Sequence, residues 1–149
     1  MDRCEKAYAY HKAGYNCAQA VAGACADLAG REPEELMAAM SGFGGGFGGS
    51  HEEACGAVSG GVLVLSLRSP HTEGGNQETK KAAYARAKDF RQRFAGAFGG
   101  LTRCGDLLRA RPGVSDATPA AKRMGITAHC DVMIVTAVEL LEQMVREEA

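Results

Sequence analysis

Glycine sets the limits on what this sequence can fold into. Gly14, Gly30, the run between Gly42 and Gly49, and the Gly99-Gly100 pair cut the chain into segments, and within each segment apolar residues recur at three- and four-residue intervals. Twenty of 149 residues are Gly, about twice the usual share. Asn16 can cap a helix whose stripe is Ala18, Val21, Ala22, Cys25, Leu28 and Ala29, closed by Gly30. Pro33 with Glu34 and Glu35 makes a favourable first turn, because Pro lacks only an amide proton that is unpaired there and the acids suit the positive helix end. Ser50 and Glu53 have capping-box spacing, which predicts a helix from about His51 through Leu67, apolar all round and therefore central and fully buried.

The rest of the chain reads the same way. Ala83, Ala87, Phe90, Phe94 and Phe98 stripe a long helix that Gly99-Gly100 stops. Thr102 can cap a short turn through Leu108, and a Pro/Ser/Asp loop follows from Arg111 to Pro119. Thr127 opens a last helix, to about Arg146, with the stripe Cys130, Ile134, Ala137, Leu141 and Met144. The expected fold is all-α: one domain over residues 1–149, a bundle of about six helices with Gly-rich joints.

Charge and hydropathy exclude several function classes. A net charge of −1 leaves no electrostatic footprint for nucleic acid and no polybasic tract for an anionic membrane. The longest apolar run, Ala54 to Leu67, is interrupted by Gly and Ser and is too short to span a bilayer. The chain opens Met-Asp-Arg-Cys-Glu-Lys with no apolar stretch behind it, so no secretory signal is expected and the expected compartment is the cytoplasm. In a reducing compartment six cysteines read as metal ligands, redox groups or core residues rather than as a disulfide framework.

Four of the six fall at predicted helix starts. Cys17 follows the cap Asn16, Cys55 lies just beyond the first turn after Ser50, Cys104 is two residues past Thr102, and Cys130 is three past Thr127. A helix N-terminus carries about half a positive charge and stabilises a thiolate. Four such ends sum to about +2, which offsets the charge of about −2 left when four thiolates hold one zinc or an oxidised two-iron cluster. No C-x-x-C pair spells out a ferredoxin run or a zinc knuckle, so spacing alone leaves plain core cysteines as the alternative. Cys25 lies on an apolar stripe and reads as core, while Cys4 has no assigned role.

Gly44 to Gly49 matches G-x-G-x-x-G, but no βαβ unit surrounds it; glycines there serve better to wrap backbone closely around a site. Gly56 and Gly60, four apart, would let a second helix approach the segment that carries Cys55. Of the four histidines, His51 and His129 stand beside Cys55 and Cys130 and are candidate ligands, donors to sulfur or proton relays, or else surface residues at helix starts.

These residues resemble the C_GCAxxG_C_C family, to which a redox role is ascribed. The resemblance rests on Tyr-Asn-Cys-Ala-Gln-Ala-Val around Cys17, the Gly44–Gly61 segment with Cys55-Gly56-Ala57-Val58-Ser59-Gly60, Arg-Cys-Gly-Asp-Leu-Leu around Cys104, and Cys130 opening the last helix. Ala54 stands where the family name spells Gly, and the Gly follows the Cys instead. The resemblance implies a small helical protein whose four characteristic cysteines are Cys17, Cys55, Cys104 and Cys130. A similar domain accompanies the haem domain of split-Soret cytochromes, where four cysteines are associated with an iron–sulfur centre; this chain has no C-x-x-C-H haem site. The leading expectation is therefore that these four cysteines bind an iron–sulfur cluster, two-iron by preference, for electron transfer. A metal-free thiol/disulfide oxidoreductase and a structural zinc module are the alternatives. The redox partner protein, self-association into a homo-oligomer, and whether the chain is itself an oxidoreductase stay open.

Overall fold

A computed structural model describes residues 1–111 and 118–148. Among them are eight α-helices and no strand: α1 (Arg3–Lys12), α2 (Cys17–Ala24), α3 (Pro33–Ala39), α4 (Gly56–Arg68), α5 (Gln77–Ala97), α6 (Cys104–Ala110), α7 (Pro119–Met124) and α8 (His129–Glu147), with a 3-10 turn at Ala26–Ala29. The all-α expectation holds, and the expected count of six is low by two. The stretch expected as a short turn from Thr102 is a full helix, α6, and Pro119 starts the unforeseen α7. Most of the loop expected between Arg111 and Pro119 lies outside the described residues. No described helix is long and apolar enough to cross a membrane.

Asn16 caps α2 as its side chain accepts from the Gln19 amide at 2.8 Å, while the Gln19 side chain accepts from the Asn16 amide at 3.0 Å, which closes a capping box. The helix packs chiefly on α4, with α1 and α3 beside it. Gly60 is what permits that approach: a Cβ there would lie 2.6 Å from the backbone oxygen of Ala18. Phe90 and Phe94 of α5 and the first half of α8 complete the core.

Two expectations about burial and boundaries are corrected. The element buried on every side is the first half of α8, Asp131 to Val138, rather than α4. On α4, Val62, Leu63 and Leu67 stay partly exposed. Val62 and Leu63 line an open apolar groove with Met40, Phe43 and Phe47. The start of α4 also moves, from His51 to Gly56. Ser50 does not cap it; its hydroxyl donates to the Gly46 carbonyl at 2.6 Å and accepts from the Glu52 amide. Residues 51–55 instead pair with 102–105: the Cys55 amide donates to Thr102 O, the Cys104 amide to Glu53 O and the Gly105 amide to His51 O, at 2.8, 2.9 and 2.8 Å. These bonds use groups that a helix begun at His51 would need for itself, and the isolated bridge between Ala54 and Arg103 marks the pairing.

Candidate functional site

The four cysteines expected at helix starts do lie there. Cys17 is the first residue of α2, Cys55 the N-cap residue of α4, Cys104 the first residue of α6, and Cys130 the second of α8. All four line one cavity of about 110 Å³, together with Gly45, His51, Leu108 and Met133. The pairing of 51–55 with 102–105 joins Cys55 to Cys104, and the α2–α4 contact brings in Cys17. All six cysteines are free thiols.

The Gly-rich loop closes the cavity. Its backbone runs through the left-handed region from Gly45 to Gly49, with φ between 58° and 70° and Phe47 included. Gly46 has φ 69°, and a Cβ on it would sit 2.8 Å from the Cys104 Cβ and 3.0 Å from Glu53 O. No larger residue fits that approach. Gly56 is equally fixed, since its Cβ would run into the Cys17 sulfur and stand 2.9 Å from the Ala18 nitrogen. This gives a reason for Gly on the far side of Cys55, where the chain departs from the spelling of the family name.

Electrostatics divide the four thiols unequally. The neighbouring Cys55 thiol first, and then the backbone amides of Gly45, Ala18 and Gly56, favour the Cys17 thiolate enough to outweigh burial and bring its pKa down to about 6. Cys55 moves the opposite way, well above the ordinary thiol value, because of the neighbouring Cys17 sulfur and then burial. The two thiols titrate as a pair, the first proton leaving below the ordinary thiol range and the second well above it. Burial, then the neighbouring sulfurs Cys17 and Cys104, push Cys130 up to about 11; burial and Cys17 raise Cys104 as well.

Among the described residues, no three His, Cys, Asp or Glu side chains converge as a single-ion site. His51 lines the cavity, but from a loop position with φ 64° rather than from the helical first turn expected of it. His129 is the first residue of α8, and its buried Nε2 has no hydrogen-bond partner among the described residues; it does not line the cavity. Cys4 and Cys25 sit apart in the core, where burial raises both thiols, Cys4 to about 12. The Cys4 thiol lies 3.8 Å from the carbonyl oxygen of Val135.

Sequence reasoning passed over Asp131. Its side chain is 3% exposed, with Oδ1 2.6 Å from Nδ1 of His11 and Oδ2 3.4 Å from Nζ of Lys12. An acid in a helix first turn ordinarily reads as a dipole complement in solvent, and nothing local in the sequence announces a partner 120 residues away.

A family model described as "Putative redox-active protein (C_GCAxxG_C_C)" matches residues 15–144, which is most of the chain and includes all four cavity cysteines. The chain belongs to the C_GCAxxG_C_C family. No curated protein and no solved structure matches it. A redox role is ascribed to the C_GCAxxG_C_C family; Cys17, Cys55, Cys104 and Cys130, which share the cavity, lie inside the matched span, whereas Cys4 lies before it.

Proposed function

We propose that this C_GCAxxG_C_C protein is a one-electron carrier in which Cys17, Cys55, Cys104 and Cys130 hold an iron–sulfur cluster, two-iron in composition. The observation that carries the reading is that four thiols from four separate helix starts line one small, mostly apolar cavity. A two-iron cluster takes two cysteines per iron, so it asks for thiols in pairs rather than for three donors around one point. Cys17 and Cys55, neighbours whose ionisations are linked, offer one such pair, and Cys104 and Cys130 line the same cavity. When bound, such a cluster supplies reversible one-electron transfer. The chain's own part is to present thiolates, starting from Cys17. The amides of Gly45, Ala18 and Gly56 stabilise negative charge on that sulfur, and Leu108 and Met133 keep the site apolar.

Anaerobic purification and reconstitution, followed by iron, acid-labile sulfide and visible absorption measurements, should give about two irons and two sulfides per chain. A colourless product without iron overturns the reading.

The contact between Cys55 and Cys17 favours a second reading, a metal-free dithiol. The Cys17 thiolate would attack a disulfide of a partner, Cys55 would give up its proton and displace the mixed disulfide, and the Cys17–Cys55 bond would form as the partner takes two electrons and two protons. Peptide mapping of air-oxidised protein separates the two readings: a reversible Cys17–Cys55 bond in a chain that never takes up iron selects the dithiol.

A further inference from the structure

Helix α1 lies before the span that the family pattern matches, yet it is fastened to α8 at two points along an antiparallel contact. Far from the cavity, Nη1 of Arg3 donates to Oε2 of Glu142 at 2.8 Å. At the cavity end, His11 and Lys12 meet the buried carboxylate of Asp131, the residue that follows Cys130. The first turn of α8 has no cap of its own, because its N-cap residue is Ala128 and no side chain bonds there. A helix start without a cap frays most readily. Contacts from α1 to Asp131 add to the burial of residues 131–138 in fastening this one.

We infer that His11 is a positioning residue of the redox site: its contact with Asp131 fixes the first turn of α8 and so holds Cys130 against the cavity. The inference rests on the four-cysteine cavity being the functional site, and it gives α1 a task that the family pattern leaves out. Two strong contacts at opposite ends of one helix pair allow the local effect to be told apart from simple docking of α1. Glu142→Gln weakens the distal contact only, and His11→Ala removes the shorter of the two proximal ones, leaving Lys12 on Asp131. His11→Asn retains an N–H donor near the position of Nδ1.

The test is made on reduced, metal-free protein under argon at one fixed pH, with iodoacetamide as the probe and peptide mass spectrometry reading the alkylation rate of each cysteine. His11→Ala should speed alkylation of Cys130 by about tenfold, the scale expected when a charge-assisted contact that holds a local segment closed is lost. Cys17 and Cys55 should keep their wild-type rates. His11→Asn should return Cys130 most of the way, and Glu142→Gln should leave it unchanged. Asp131→Asn, which keeps the shape and weakens the contact, provides a second variant if His11→Ala does not fold, and should raise the Cys130 rate in the same direction. An unchanged Cys130 rate in a folded variant overturns the inference, as does an equal rise at all four cysteines or the same rise in Glu142→Gln. The cluster reading fails separately, by absence of iron after reconstitution, and does not enter this measurement of bare thiols.

Discussion

At the scale of single residues, Cys17 is where the cavity's chemistry begins. Its thiolate is stabilised by one neighbouring thiol and three backbone amides, and the neighbouring thiol makes the largest contribution. Cys55→Ala removes that donor, so the Cys17 pKa should rise from about 6 toward the ordinary 9.0, as read from the pH dependence of iodoacetamide alkylation at Cys17 in metal-free protein. No rise would mean that the amides alone hold the charge. The same shift acts on stability. A thiol that ionises more readily in the folded chain stabilises it fully above pH 9, and that contribution is lost as the pH falls through about 6. The urea midpoint of wild type minus that of Cys17→Ser should therefore shrink between pH 9 and pH 6; a difference that stays flat removes the depressed thiolate from the account. The Asn16 box made the helix start at Cys17 legible, whereas Ser50 and Thr102, read as caps, and Thr127, read as the opening of the last helix, are not the N-cap residues there, which are Cys55, Arg103 and Ala128. The sequence could not show which thiol ionises first, because Gly45 and Gly56 reach Cys17 only through the tertiary fold. Asp131 was illegible for the same reason.

At the scale of elements, glycine plays opposite roles that the sequence does not distinguish. Gly60 of α4 faces the backbone of α2 with 2.6 Å between its would-be Cβ and Ala18 O, and a backbone atom cannot swing aside. Gly60→Ala should cost about 1–3 kcal/mol, the scale of overpacking in a filled core. Because the clash separates α2 from α4, it should also raise the Cys17 pKa. Gly96, inside α5, has nothing within 4 Å of its would-be Cβ. Gly96→Ala should stabilise by about 0.5–1 kcal/mol through helix propensity and a less flexible unfolded chain. Chemical denaturation of both variants checks the contrast; a Gly60→Ala protein as stable as wild type would show that α2 and α4 have room for the added methyl. Element identity was legible wherever stripes were long, as in α5 and α8, and the Gly56/Gly60 spacing did mark the helix approach. The start of α4 was misplaced because Ser50 and Glu53 have the local form of a cap, while the three bonds to residues 102–105 lie about 50 residues away and prevail. The short α7 has no stripe long enough to register.

At the scale of the whole molecule, the four cysteines stand on α2, α4, α6 and α8, so a group bound to all of them links helices from both halves of the chain. Anything that binds only the folded state stabilises it by mass action, by about 3–4 kcal/mol at 100 to 1,000 times the dissociation constant. For a chain of this size that corresponds to a rise of roughly 10 °C in melting temperature on loading. The cavity cysteines and Cys25 should then divide by kind of effect. Cys17→Ser, Cys55→Ser, Cys104→Ser and Cys130→Ser should each abolish most of the rise, since each removes a ligand. Cys25→Ala should lower the melting temperature of the unloaded protein, because Cys25 is fully buried in the core, yet it should leave the rise intact. Paired melts of each variant, with and without anaerobic reconstitution, provide the measurement. A rise that survives in any of the four cavity variants would release that cysteine from the ligand set, and a rise lost in Cys25→Ala would mean that the site depends on the core more than on its own thiols.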